Sequence, residues 1–380
     1  MNQNPSLTAL LTLNALPRVG PIRIQRLLKH FGSANEILKQ SELKLQQVSG
    51  VGPEVANIIS QWSQHFDPEK ELNLCEQEGI QIITADHENW PTNLRNSLDA
   101  PILLYVRGEI QSADHSAFAI VGSRRCTHYG QQSTRLFAGA LAQAGYTIIS
   151  GLARGIDTHA HQAALDANGR TIAVLGSGLM HLYPRENTQL AQKIAAGQGA
   201  IISEFPLQQA PDKQTFPQRN RIVARWSSGL LVTECPRRSG SLITANMAAE
   251  AGRDVYAIPG PIDRPQSEGC NELIRDGAQL VTQPLQILED CRQGEFAFSS
   301  APSNRESLNA TKSVKTERKV APTLNTKETA IVSALSEGPQ TMDALAGACQ
   351  SPIYEVTTAL LTLEMKSLVK QIAGQRYQLL

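Results

Sequence analysis

Between residues 80 and 260 the chain alternates short, continuous apolar runs with stretches in which apolar positions recur every three to four residues. The runs are IQIIT (80–84), PILLYV (101–106), FAIVGS (118–123), YTIISG (146–151), TIAVLG (171–176), AIISEF (200–205), GLLVTE (229–234) and DVYAIPG (254–260). Runs of this length, rich in Val, Ile and Leu, predict strands buried on both faces. The stretches between them, such as Gln131–Ala144 and Leu242–Gly252, predict amphipathic helices. Buried strands alternating with helices predict an α/β fold: a Rossmann-like, mostly parallel sheet with helices on both faces and an extra strand or two ahead of it.

The flanks have other patterns. Residues 1–65 predict short helices with tight turns. Leu16–Leu28 and Val48–Ile59 each hold an apolar residue, a Gly-Pro turn and an amphipathic helix. This repeat resembles a helix-hairpin-helix (SAM-like) domain, whose helix starts can hold a phosphate. Arg18, Arg23, Arg26 and Lys29 suit the first copy to a DNA contact; Glu54 beside the second turn argues against one there. Packing alone also accounts for the repeat. The core is expected over residues 66–292. Residues 293–325 are polar, proline-bearing and aperiodic, which predicts a flexible linker. Over 326–380 the pattern returns. A helix Lys327–Ser336 stops at Gly338-Pro339, Thr341 caps a second, Ser351-Pro352 opens a third with Val356, Leu360 and Leu363 on one face, and a ribbon turns at Gly374. Three helices and a ribbon predict a winged helix. Its third helix carries Glu355 and Glu364 against Lys366, a poor composition for reading a major groove.

Composition narrows the class. The chain has 380 residues, 35 basic and 35 acidic, so an anionic partner must be met by a local patch rather than a global field. No apolar run approaches the length of a membrane span, and the N-terminal stretch lacks a secretory pattern, so a cytoplasmic protein is expected. Six scattered cysteines without a CxxC pair suit a reducing compartment and no zinc site.

The candidate chemistry lies where the strands end, because ligands of open parallel sheets bind at the carboxyl ends. After FAIV come Gly122, Ser123, Arg124 and Arg125; after YTII come Ser150, Gly151, Arg154 and Gly155. TIAVL leads to Gly176-Ser177-Gly178, and LLVTE leads to Arg237, Arg238, Ser239, Gly240 and Ser241 at a helix start. Four glycine- and serine-rich turns with arginines predict a phosphate-binding rim, since glycine admits an anion to the main chain and helix starts offer free N–H groups. The chain has neither GxxxxGK[ST], nor the dinucleotide fingerprint, nor a GxSxG elbow. Asp157 is expected to cap a helix Thr158–Ala167 and lies four residues before His161. His159 and His161 diverge on that helix, so neither metal nor cofactor is expected.

Lys213–Arg225, KQTFPQRNRIVAR, is the most specific segment. Lys213, Phe216, Arg219, Asn220 and Arg221 beside a phosphate rim suit single-stranded nucleic acid, with the ring stacked on a base and the guanidiniums on the backbone. Alternatively, Phe216 is core and the arginines solvate a helix.

AIVGSRR (119–125), SGLARGIDTHAHQAAL (150–165), TIAVLGSGL (171–179), YPREN (183–187), SEFP (203–206), FPQRNRIVA (216–224), SGSLITA (239–245) and EGCNELIRDGA (268–278) together resemble the DNA-processing protein A family, DprA or Smf. The resemblance covers roughly 80–290 and extends to the two flanking domains. It implies a non-enzymatic recombination mediator that binds single-stranded DNA as a homodimer. Such a mediator loads RecA recombinase onto incoming strands in natural transformation and counters single-strand-binding protein. It carries DNA-contact roles to Arg124, Lys213 and Phe216, and maps the glycines of the second motif to Gly151 and Gly155. Cys235-Pro236-Arg237-Arg238 is more basic than the family pattern, which would extend the DNA path. A rival reading takes SGSLITA as the phosphate turn of a Rossmann-like hydrolase that releases the base from a nucleoside monophosphate, with Glu234 and Arg237 or Arg238 as its catalytic pair.

Overall fold

The computed structural model describes residues 5–95, 97, 99–299, 326–335, 338, 340–349, 351, 356, 359–360, 363, 369–372 and 376–379. They form two compact units, 1–302 and 303–380.

The first unit opens with five helices: α1 (Pro5–Ala15), α2 (Pro21–Phe31), α3 (Ala34–Leu38), α4 (Glu42–Leu45) and α5 (Pro53–Ser60). The two Gly-Pro turns start α2 and α5, each with proline in the first turn, where its missing N–H costs nothing. Leu13, Ile24, Leu27, Ile37, Leu45 and Ile59 form their shared core. The arginines expected at DNA are engaged within the pair of hairpins. Arg23 donates to the carbonyls of Gly50 (2.7 Å) and Arg18 (3.0 Å), Arg26 donates to Ser49 (3.1 Å), and Arg18 pairs with Glu54.

The sheet follows: α6 (Pro68–Gln77), β1 (Gln81–Thr84), α7 (Thr92–Arg95), β2 (Leu103–Gly108), β3 (Ala117–Val121), α8 (His128–Gln143), β4 (Thr147–Ser150), α9 (Ile156–Asp166), β5 (Thr171–Val174), α10 (Thr188–Ala195) and β6 (Gly199–Ser203). Then come α11 (Thr215–Trp226), β7 (Gly229–Val232), α12 (Gly240–Glu250), β8 (Asp254–Ala257), α13 (Glu268–Arg275), β9 (Gln279–Leu280) and α14 (Pro284–Ser299). Among the described residues the strands order as β1-β2-β6-β5-β4-β3-β7-β8-β9. From β6 to β9 every neighbour is parallel, while β2 runs antiparallel to both β1 and β6. All eight expected strands are present; β9, two residues long, lacked an apolar run to announce it.

Strand alternation explains the two helical layers. Phe118 and Ile120 of β3 pack with Phe137, Leu141, Ala160 and Ala164 of α8 and α9. Ala117, Ala119 and Val121 point the other way, toward Ile222, Val223 and Trp226 of α11 and Ala245 and Ala248 of α12. The chain winds outward from β3 through β4 and β5 to β6, then returns to place β7 on the other side of β3. The β3/β7 boundary is therefore the switch point, where the carboxyl ends leave a crevice.

Helix α14 runs to Ser299, into the stretch expected as linker from 293; residues 300–325 lie outside the described ones. The second unit holds α15 (Thr326–Leu335), β10 (Gln340–Thr341), α16 (Met342–Ala348), β11 (Val369–Ile372) and β12 (Arg376–Leu379). Thr341 Oγ1 accepts from Ala344 N–H, as expected of the cap. Val356, Leu360 and Leu363 are buried with Ile331, Leu335, Leu345 and Tyr377. The ribbon gains a third strand, β10, antiparallel to β12. Glu355, Glu364, Lys366 and Gly374 lie outside the described residues.

Candidate nucleic-acid interface

A cavity of about 560 Å³ opens at the β3/β7 switch point. Three of the four glycine- and serine-rich turns line it: Gly122–Arg125 after β3, Gly151 and Ala153 after β4, and Arg238–Ser241 after β7. Lys213, Phe216 and Asn220 at the start of α11 close its side. The fourth turn is filled by protein. Gly178 N–H donates to Gln209 O (2.8 Å), and a Cβ on Gly176 would meet the Phe216 ring at 2.8 Å.

Each rim turn is held by specific bonds. Ser123 N–H donates to Glu234 O (2.7 Å), its carbonyl accepts from Ile156 N–H (3.1 Å), and its hydroxyl accepts from Arg125 N–H (3.1 Å). Gly155 has φ +75°, and a Cβ there would meet Ser123 O at 2.3 Å, so only glycine fits the turn into α9. A Cβ on Gly151 would overlap the Arg219 guanidinium at 2.2 Å. Asp157 is not the cap expected of it. Helix α9 starts two residues earlier, at Ile156, and the Asp157 carboxylate folds back to accept from Gly151 N–H (3.0 Å) and Ala153 N–H (3.3 Å). Burial raises its carboxyl above the usual range, while Arg219 and those N–H groups pull it down. Helix α12 begins at Gly240, two residues before expectation, with Ser239 as cap accepting from Ser241 N–H (3.2 Å). Its positive dipole end therefore meets the cavity.

The cationic side chains divide into two groups. Arg124, Arg125, Lys213 and Arg238 line the cavity, are exposed, and have no ion pair among the described residues. The Arg124 guanidinium lies 5.2 Å from the centre of the half-buried Phe216 ring. The remaining arginines are committed. Arg219, 5% exposed, donates to the carbonyls of Gly151 (2.6 Å) and Val174 and to Asn220 Oδ1 (3.0 Å). Burial lowers its pKa to about 10, against the opposing pull of Asp157 and with a smaller push from Arg124. Arg221 is buried with Glu204 and donates to Asp99 O, away from the cavity. Arg154 pairs with Glu186 (2.9 Å) at the rim, and Arg237 pairs with Glu272 (3.5 Å) outside it. Arg219 and Arg221 are thus held by protein partners, although Arg219 still borders the cavity, and Arg238 rather than Arg237 faces it.

Tyr183 and Asn187 were not singled out as site residues from the sequence, and Arg125 was named there only as part of the turn after β3. Tyr183 stands 6.2 Å from Phe216, centre to centre. Asn187 donates to Leu152 O (2.8 Å) and Thr158 Oγ1 (2.9 Å), bolting the YPREN loop to the Gly151–Gly155 turn. An aromatic next to proline was the available signal.

Glu234, offered to the hydrolase reading, is 3% exposed and accepts from Thr127 N–H and Thr127 Oγ1, both at 2.7 Å. It anchors the start of α8 and presents no free carboxylate. Among the described residues no group of three or more His, Cys, Asp or Glu side chains is placed to hold a metal, and no helix is long and apolar enough to cross a membrane. His161 does not meet Asp157. Thr171 Oγ1 donates to Ile148 O, which leaves it to accept from His161 Nδ1–H at 2.6 Å. Burial, with a contribution from Arg219, lowers the His161 pKa to about 3. A depressed base pKa means that the unfolded chain binds the proton first, so stability is full above about 6.5 and falls as pH drops toward 3. The expected loss is about 1.4 kcal/mol per unit in that window. Melts at pH 7.5 and 5.0 on the wild type and His161→Asn check it: the variant should show the shallower dependence, and equal slopes would refute the assignment.

Comparison with known proteins agrees with this architecture. Residues 81–292 match the family model for DNA recombination-mediator protein A, residues 315–375 a DprA winged helix domain, and residues 10–70 a helix-hairpin-helix motif. Protein Smf of Escherichia coli (strain K12) is 42% identical over 80% of this chain and 79% of its own. Protein Smf of Synechocystis is 34% identical over 95% of each chain. The crystal structure of DNA processing protein A from Streptococcus pneumoniae superposes with a TM-score of 0.65 at 34% identity, covering 76% of this chain and 98% of that one. A structure describing the single-stranded DNA binding mode of DNA processing protein A from Helicobacter pylori gives 0.51 at 31%, covering 57% and 98%. With a family model spanning the whole parallel sheet and its crevice, the chain belongs to the DNA recombination-mediator protein A family.

Proposed function

We propose that this protein binds single-stranded DNA at the β3/β7 crevice and acts as a recombination mediator in natural transformation. In this reading it works as a homodimer, loads RecA recombinase onto the bound strand, counters single-strand-binding protein, and catalyses no reaction itself. The observation that carries it is the unpaired Arg124 lying over the Phe216 ring at the mouth of a cavity edged by glycine- and serine-rich turns and the start of α12. A ring beside a cationic phosphate track suits single strands, whose bases are free to stack. The Helicobacter pylori relative, described with single-stranded DNA, supports the same reading. The DNA contacts proposed are Gly122, Ser123, Arg124, Gly151, Lys213, Phe216, Asn220, Ser239, Gly240 and Ser241, with Arg125 and Arg238 added by position.

The test is binding of an oligo(dT) strand and a duplex of equal length across a salt series, for the wild type, Arg124→Ala and Phe216→Ala. Arg124→Ala is expected to weaken single-strand binding and reduce the salt slope by about 0.7. Phe216→Ala is expected to cost about 1–3 kcal/mol of affinity at unchanged slope. Preference for the duplex, or release of free base from nucleoside monophosphates by the purified protein, would overturn the reading. A chain ending at Ser299 keeps every residue of the crevice and is expected to retain binding within about tenfold, or about 1.4 kcal/mol. Loss of more than a hundredfold in a folded truncation would move the main DNA site to the C-terminal unit.

A further inference from the structure

We infer that the small cavity bordered by Phe216 and Tyr183 is a second base-binding subsite, with the Tyr183 ring as its stacking surface. The inference rests on the proposed single-stranded DNA binding and extends it by one nucleotide. The cavity measures about 150 Å³ and is bounded by Arg124, Arg125, Ala153, Arg154, Tyr183 and Phe216. Arg124, Arg125 and Phe216 also line the main cavity, so the two spaces adjoin along these residues.

Tyr183 is 44% exposed, although a ring of its size is more commonly covered. It is held in place from below: Asn187, four residues on and 6% exposed, is bonded to the turn after β4. A ring carried on a loop anchored in this way loses less freedom when a base settles on it. The Tyr183 and Phe216 planes are tilted by 54° at 6.2 Å, too close and too skewed to sandwich one base between them. Each ring therefore offers its own face, and two successive bases lie in the two adjoining spaces. The phosphate that joins them falls beside Arg124, which borders both spaces. Arg154 at the outer rim is paired with Glu186, but both side chains are more than half exposed, so the pair is weak in water and a phosphate competes for the guanidinium at low cost. Stacking on a ring face is base-tolerant, so the subsite adds affinity without sequence preference.

The test uses full-length protein and oligo(dT) substituted with 5-iodouracil, irradiated at long wavelength, with cross-linked peptides mapped by mass spectrometry. Cross-links at both Phe216 and Tyr183 are expected. In parallel, Tyr183→Ala should weaken oligo(dT) binding roughly five- to hundredfold with an unchanged salt slope. Tyr183→Phe should restore it, because the phenyl face suffices. Cross-linking at Phe216 alone, with full affinity in a folded Tyr183→Ala protein, overturns the subsite and leaves the single-strand reading standing. Cross-linking at neither ring, with no measurable binding by the wild type, overturns that reading and the subsite with it. Loss of affinity in both Tyr183→Ala and Tyr183→Phe would mean that the hydroxyl holds the loop, and would also reject stacking.

Discussion

Arg221→Ala is expected to lower the unfolding free energy by about 3–5 kcal/mol while leaving the DNA affinity of the folded fraction near the wild-type value. The Arg221 and Glu204 side chains are 10% and 7% exposed, so solvent does little to screen them. The guanidinium also donates to the Asp99 carbonyl, tying α11 to the segment before β2. Removing it leaves the Glu204 carboxylate buried without its cation. Burial already pushes the Glu204 carboxyl up in spite of Arg221. Denaturant titration alongside oligo(dT) binding separates the outcomes. A double variant, Arg221→Met with Glu204→Leu, should recover most of the loss, because a well-packed apolar pair replaces two desolvated charges. A stability change under about 1 kcal/mol in Arg221→Ala would show that water reaches the pair.

Arg219→Ala is expected to damage both stability and binding. Its guanidinium holds the carbonyls of Gly151, which lines the cavity, and of Val174 at the end of β5, and offsets the buried Asp157 charge. Without it, two buried carbonyls lose a charged donor and Asp157 keeps only its N–H partners, a loss of about 3–5 kcal/mol by analogy with a broken buried pair. The Asp157 pKa should climb further above its unfolded value. A carboxyl whose folded pKa is raised destabilises the fold above the unfolded pKa near 4, so the variant should be less impaired at pH 5 than at pH 8. Asp157→Asn in the Arg219→Ala background should remove that pH dependence and return part of the stability. Affinity for oligo(dT) should fall even at temperatures where the variant is folded, because the Gly151–Gly155 turn loses its anchor. Full affinity at normal stability would return Arg219 to the role of a dispensable surface charge.

Element types and their order were legible because they are written in local periodicity. Buried parallel strands must be apolar on both faces, and the eight runs between 80 and 260 carry that mark. The two Gly-Pro turns marked the starts of α2 and α5 for a similarly local reason. Strand β9 escaped because its two residues, Gln279 and Leu280, are both exposed and show no pattern. Helix α14 overran the expected boundary because composition signals a linker less sharply than hydrogen bonding ends a helix.

The candidate site was legible as a set of turns but not as a set of contacts. The sequence by itself determined a doubly wound sheet, glycine-rich turns at the carboxyl ends, and an aromatic among arginines at the start of α11. Which arginines face solvent was decided by tertiary structure alone. Arg219 and Arg221 look alike in FPQRNRIVA, yet the Gly151 carbonyl that holds one is 68 residues away and the Asp99 carbonyl that holds the other 122. Whether Gly176 opens to an anion or packs under a ring likewise depends on Phe216, on a different element. A guanidinium in water and one bonded to buried carbonyls differ in energy through partners brought close only by the folded chain. Local spacing cannot encode those partners, and so Arg124 is left free over Phe216 while Arg219 and Arg221, close to Phe216 in sequence, became the frame.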